Sequence, residues 1–156
     1  MAQPYRHRRH QRVRETASSR YSPSSSPPPA LTGILLDSDI IIETLRGRRE
    51  ISNSLRAIEH QGVPTYCCAI SLAEIWAGVR PGEEAPAEAF FHSRGEVVLD
   101  AAVGRRAGTY LSRYSRSHGM QIADALVAAA ASVAGLRLWT LNRRHYPMSD
   151  IVFHDQ

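Results

Sequence analysis

The chain contains no lysine: all 19 basic side chains among its 156 residues are arginine. That absence removes chemistries that place a lysine beside an aspartyl nucleophile. Cysteine is scarce as well, with only Cys67 and Cys68, adjacent in the apolar stretch VPTYCCAI. Neighbours in sequence cannot staple distant segments and lack metal-ligand spacing, so the pair reads as core thiols of a reducing compartment. No apolar run approaches the roughly 18 residues of a membrane span, and the arginine-rich amino terminus lacks the apolar stretch of a secretory signal. A cytoplasmic protein with no membrane partner is expected.

The length fits one ordinary domain with a sizeable core and makes a second unlikely to fit. The formal net charge of +4 is unevenly spread. Residues 1–30 carry six arginines against Glu15, a net +5, whereas the remainder carries 13 arginines against 14 acids, a net −1. This first segment, MAQPYRHRRHQRVRETASSRYSPSSSPPPA, lacks apolar periodicity and ends in Ser and Pro runs, which predicts a disordered extension. It reads either as a basic arm for nucleic acid or as an upstream extension with no role, the second being favoured.

Ordered structure is expected over 31–156. LTGILLDSD reads as a short buried strand ending in polar residues, followed by a helical turn in IIETLRG. EISNSLRAIEHQG places Ile51, Leu55 and Ile58 on one helical face and closes at Gly62. A second strand in VPTYCCAI leads to a helix opening at Ser71, whose Leu72, Ile75, Trp76 and Val79 form a core-facing stripe; Gly78 offers a close approach to a neighbouring backbone. PGEEAPAEAFFHSRG predicts a short helix, EVVLD a third strand, and AAVGRRAGTYLSRYSRSHG a long helix with Val103, Ala107, Tyr110 and Tyr114 inside. IADALVAAAASVAG is apolar almost all round, as a central helix packed on both sides would be, and LRLWT and IVF read as a fourth and a possible fifth strand. Strands alternating with helices predict an α/β fold with a mostly parallel sheet of four to five strands covered on both faces.

Asp37, Glu74 and Asp124 each follow a short apolar or β-branched run and stand at the start of a helical pattern. In an open α/β sheet functional groups gather at the carboxyl ends of strands, so acids far apart in sequence can meet in one pocket that holds Mg²⁺ or Mn²⁺. Each acid also has a purely structural role open to it. Ser71 and Glu74 have the spacing of a capping box, Asp37, Ser38 or Asp39 can cap the next helix, and Asp124 can complement a helix dipole. Taken together the three favour a metal site, because converging acids repel one another without a cation and an unpaired charge beside an alanine-rich helix is costly.

The segments GILLDSDIIIETLRG, AISLAEIWAGV, IADALVAAAASVAGL and LWTLNRRHYP, in this order and spacing, resemble the signature blocks of PIN-domain ribonucleases. More narrowly they are similar to VapC-type toxins of bacterial toxin–antitoxin pairs, and the resemblance covers residues 31–156. It implies a PIN-like three-layer α/β/α sandwich and the toxin's activity, a metal-dependent endoribonuclease that hydrolyses RNA phosphodiester bonds by metal-activated water. It further implies that Asp37, Glu74 and Asp124 hold the metal, Mg²⁺ or Mn²⁺. The fourth acid of the family's T-x-D context is here Asn142, after Thr140 and Leu141. An amide can accept from a water or offer its carbonyl but adds no charge, which places a second metal position in doubt.

Around these acids, Ser38 and Thr140 are candidate hydroxyl partners, and Asp39 is a candidate cap or metal-assisting group. Arg143 and Arg144 are the first candidates for the phosphates of substrate, with Arg46, Arg48, Arg49 and Arg80 as further rim residues. His145 is expected to pack or hydrogen-bond beside the site with Tyr146. The resemblance implies a homodimer held inactive by a cognate VapB-like antitoxin, with apolar residues of IIETLRG and ISNSLRAIEH as one possible wall of its groove. Two rivals stand. Asp37-Ser38-Asp39 matches the D-x-D opening of a haloacid-dehalogenase-type phosphatase, but that chemistry, like a receiver domain's, generally wants the lysine this chain lacks. A PIN-like RNA- or protein-binding module that has lost catalysis has Asn142 in its favour.

Overall fold

The alternation of apolar residues along the strands sets the architecture. In the computed structural model, which describes residues 33–155, Ile34 and Leu36 of β1 (Ile34–Leu36) face one core and Leu35 faces the other. Cys67 and Cys68 of β2 (Thr65–Cys68) divide the same way, as do Trp139 and Leu138 of β4 (Arg137–Trp139). A sheet apolar on both faces must be covered on both. Helices α1 (Ser38–Leu45), α2 (Arg49–His60) and α4 (Glu84–His92) cover the Ile34 side, with Ile75 of α3 (Ala69–Gly78); α5 (Ala101–His118) and α6 (Ile122–Ala134) cover the Leu35 side. The result is the expected three-layer α/β/α arrangement. The expectation of disorder for residues 1–30 lies outside the described residues.

The four strands, with β3 at Gly95–Val97, run in the order β3-β2-β1-β4, and every pairing is parallel. The possible fifth strand is reduced to a single parallel bridge between Leu138 and Phe153. The chain builds outward from β1 through β2 to β3 and then returns to the other side of β1 with β4. The strand order therefore reverses between β1 and β4, and the crevice beyond their carboxyl ends is where such sheets bind ligands. Backbone bonding holds these ends in register, with Asp37 N–H donating to the Trp139 carbonyl at 3.0 Å. At the other end of the sheet the ring of Tyr66 lies flat against Gly33 and Gly95. A Cβ at either glycine would come within 2.6 Å of that ring, so only glycine allows the approach.

Several local expectations are corrected. Helix α3 begins at Ala69, two residues before Ser71, so Ser71 is no cap: it is fully buried inside the helix with its hydroxyl 3.7 Å from Cys68 Sγ. The supposed inner stripe of α3 divides: Ile75 is buried, while Leu72 and Trp76 are 37% and 44% exposed. Gly78 faces open space, with nothing within 4 Å of where a Cβ would sit, and so makes no close backbone approach. By contrast α2 buries Ile51, Leu55 and Ile58 as expected, and the alanines of α6 from Ala128 to Ala131 are buried against α5. Among the described residues no helix is long and apolar enough to cross a membrane.

Candidate active site

Helix starts bring three carboxylates to one place, and the middle of α3 adds a fourth. Asp37 leaves β1 as the N-cap of α1, with its Oδ1 accepting from the Ser38 N–H at 2.8 Å and lying 3.4 Å from the Ser38 hydroxyl. Its Oδ2 accepts from the Tyr146 hydroxyl at 2.7 Å. Asp39, in the first turn of α1, reaches the exit of β4, where Oδ2 accepts from Leu141 N–H at 3.0 Å and the Thr140 hydroxyl at 3.2 Å. Asp124 is the third residue of α6, in a reciprocal capping box in which its Oδ2 accepts from Gln121 N–H at 3.4 Å. Glu74 sits in mid-helix on the exposed face of α3 and, among the described residues, makes no hydrogen bond or ion pair. Asp37, Asp39, Glu74 and Asp124 all line one cavity of about 170 Å³, together with Asn142, His145 and Tyr146.

The capping roles weighed for Asp37 and Asp124 are thus real, and they coexist with a shared cavity. A cap uses one carboxylate oxygen and fixes the direction of the other. For Asp39 the electrostatics are unfavourable as they stand. Its Oδ1 is buried with no hydrogen-bond partner among the described residues, and burial, then the charge of Asp37, pushes its pKa up from 3.8 to about 6 against the bonds from Leu141 and Thr140. Burial chiefly, and next the charge of Asp37, raises the Tyr146 phenol far above its ordinary value, so its hydroxyl remains a donor.

Asn142 stands where the fourth acid was sought. Its Oδ1 accepts from Arg144 Nε at 2.9 Å, and its Nδ2 lies 3.0 Å from His145 Nε2. His145 Nδ1 is 3.7 Å from Asp124 Oδ1, so an imidazole carrying its hydrogen on Nδ1 suits both neighbours. This is the place beside the site expected of His145. Arg144 is tied to the cavity-lining Asn142 but does not itself line the cavity. Arg143 is turned elsewhere: its guanidinium binds the His154 carbonyl and Asp155, each at 2.8 Å, and it does not line the cavity either. Arg46 and Arg48 pair with Glu43 at 3.4 and 3.2 Å, and neither these nor Arg49 and Arg80 line the cavity.

The donor set can be tested against a metal. Among the described residues no three His, Cys, Asp or Glu side chains already converge as a ligand cage. The donors are hard carboxylate oxygens, which suit Mg²⁺ or Mn²⁺ and not a soft ion. Mg²⁺ keeps several waters and is held by one or two carboxylates, so a roomy acidic cavity suits it better than a tight cage. The unpartnered Asp39 oxygen and the repulsion between Asp37 and Asp39 are what a cation would relieve. The chemistry of these residues fits a hydrated divalent ion. A larger cavity of about 330 Å³ beside the amino end of β4, lined by Tyr66, Val103 and Leu136 with Glu96 and Asp100, gathers no such set. There Asp100 serves as the N-cap of α5.

One contact at the site was not visible in the sequence. Spacing gives no hint that Tyr146 reaches Asp37, 109 positions away, and only the DSD repeat hints that Asp39 faces the same cavity as Asp37.

Comparison with known proteins agrees with this geometry. A sequence model of the PIN domain matches residues 34–150. The chain is 36% identical to Ribonuclease VapC10 of Mycobacterium tuberculosis over 116 residues, 74% of this chain and 86% of that protein. It is 34% identical to Ribonuclease VapC19 of the same organism over 115 residues, 73% of this chain and 92% of that protein. The fold matches a DNA-bound VapBC crystal structure from Salmonella typhimurium with a TM-score of 0.69 at 19% identity, covering 79% of this chain and 97% of that one.

Proposed function

The chain belongs to the PIN-domain family and, within it, to the VapC-type ribonucleases, and from that premise we propose that it is the toxin of a toxin–antitoxin pair, a Mg²⁺- or Mn²⁺-dependent endoribonuclease. The observation that carries the proposal is the convergence of Asp37, Glu74 and Asp124, from three separate elements, on one cavity at the switch point of the sheet. A bound divalent ion would supply a nucleophile from water at neutral pH and neutralise charge on the scissile phosphate.

The chain's own residues do the rest. Asp37, Glu74 and Asp124 supply the negative oxygens that hold the ion. Asn142 brings no charge, but its side chain holds Arg144 beside a cavity-lining residue, and the guanidinium fork suits a phosphate oxygen of RNA. Ser38 orients Asp37, and Thr140 orients Asp39. Arg143, held by the carboxyl-terminal residues, would have to leave Asp155 to meet substrate. No histidine nucleophile or aspartyl-phosphate is needed, and the haloacid-dehalogenase reading is set aside by family membership.

Partners follow from the relatives. A VapB-like antitoxin would cover the cavity, and the exposed Leu72 and Trp76 of α3 suit the face of a second copy in a homodimer. A dimer through that face predicts that Trp76→Glu sediments as a monomer, and an unaltered sedimentation coefficient would exclude it. The cytoplasm suits the protein, since it holds the RNA and keeps the two free thiols reduced.

The test is induced expression in a bacterium without the antitoxin. Growth arrest with discrete RNA fragments, both absent for Asp124→Asn at equal protein level, is expected; equal arrest by the Asn variant would refute the proposal.

A further inference from the structure

Tyr146 has no part in the assignments above, yet its placement is among the most constrained at the site. Its ring is 4% exposed, packed in the core with Leu138 and the α6 alanines and edge-on to Phe153 at 6.4 Å. A ring so held delivers its hydroxyl in a fixed direction, and that hydroxyl meets Asp37 Oδ2 at 2.7 Å. The Ser38 N–H fixes the other oxygen at 2.8 Å. Donors on both oxygens lock the carboxylate plane, and Oδ2, with the Tyr146 hydroxyl as its one donor among the described residues, keeps a further lone pair for the cavity.

The same segment binds Asp39 as well, through Thr140 and Leu141. The loop that carries Asn142 and Arg144 is therefore tied at one end to Asp39 and at the other to Asp37. In a site whose fourth acidic position is a neutral amide, the orientation of the remaining acids carries more of the hold on the ion.

We propose that Tyr146 is a positioning residue of this site, its buried hydroxyl orienting Asp37 toward the divalent ion and fixing the far end of the Asn142–Arg144 loop. The proposal rests on the metal-dependent reading given above. It acts through Asp37 and touches neither RNA nor the reacting atoms.

The experiment is a calorimetric titration of the full chain with Mn²⁺ in the absence of RNA, comparing the unaltered protein, Tyr146→Phe and Phe153→Leu, with thermal unfolding of each. Loss of an oriented partner behind a metal ligand typically costs about 10–100-fold in metal affinity, and Tyr146→Phe is expected to weaken Mn²⁺ binding by that factor. Its RNA cleavage should recover as Mn²⁺ is raised, which a general structural defect would not allow. Phe153→Leu disturbs ring packing but keeps the hydroxyl, so it should lower the unfolding temperature while leaving Mn²⁺ affinity unchanged. If Tyr146→Phe binds Mn²⁺ as tightly as the unaltered protein or more tightly, or if Phe153→Leu weakens it equally, the positioning role is wrong. If the unaltered protein itself takes up no Mn²⁺, the metal reading fails and this proposal with it.

Discussion

Asp39 and Thr140, 101 positions apart in sequence, are joined by a hydrogen bond of 3.2 Å from the threonine hydroxyl to the carboxylate. Through it the first turn of α1 is tied to the exit of β4, the two elements that flank the switch point of the sheet. The same hydroxyl oxygen accepts from the Asn142 N–H at 3.0 Å, so one side chain sets the acid and the loop beside it.

Thr140→Val keeps the shape and removes both bonds. With Thr140 5% exposed, leaving such groups unpaired costs about 1–3 kcal/mol, and urea unfolding of Thr140→Val should show that loss. Thr140→Ser, which keeps the hydroxyl, should restore most of it.

Glu74 separates activity from stability. It is exposed and makes no bond among the described residues, so Glu74→Gln should move unfolding by no more than about 0.5 kcal/mol. Removing a charge that stabilises the reacting phosphate through the ion should still cut cleavage by about 100-fold or more. A variant that cleaves normally would remove Glu74 from the site.

Asn142→Asp restores a charge to the neutral position. A carboxylate near the bound ion adds about 1–4 kcal/mol of attraction, depending on screening. The Mg²⁺ concentration for half-maximal cleavage should therefore fall, by about fivefold or more.

His154 gives the fold a dependence on pH away from the site. Its ring packs against Trp139 at 5.1 Å, and burial first, then Arg137, holds its pKa below the ordinary 6.5. The unfolded chain therefore takes up the proton more readily than the fold. The stability His154 confers is complete above 6.5 and is lost as pH falls below it. Between pH 7.5 and 5.5 the unfolding temperature of the unaltered protein should fall further than that of His154→Gln.

Much of this was legible in the chain, and what was not has physical causes. Short apolar runs located the strands because a sheet buried on both faces makes Ile34, Leu35 and Leu36 all apolar; a period of 3.6 marked Ile51, Leu55 and Ile58 of α2, and the nearly unbroken apolar run of α6 marked a closely packed helix. The exact start of α3 was hidden: Cys68 caps without a side-chain bond, and Ser71 mimics a cap from inside the helix. Leu72 and Trp76 read as core because periodicity reports an apolar face but not whether this chain or another molecule covers it. Asp37, Glu74 and Asp124 could be picked out as acids beside apolar runs and helical patterns, yet the pairings of Tyr146 with Asp37 and Thr140 with Asp39 depend on long-range topology that no local spacing encodes. Arg143 and Arg144 are neighbours of identical type, and only the carboxyl-terminal contacts of Arg143 separate their roles.

The central claim is that the cavity of Asp37, Glu74 and Asp124 cuts RNA with a divalent ion. The measurement that tests it most directly is cleavage of total RNA by purified protein freed of any co-purifying partner, run with Mg²⁺, with Mn²⁺, with EDTA, and with Asp37→Asn and Asp124→Asn in parallel. Discrete fragments ending in 5′-phosphate and 3′-hydroxyl, present with the metals and missing from the EDTA and variant lanes, are the predicted result. Fragments that persist in EDTA, or in either variant, would contradict it.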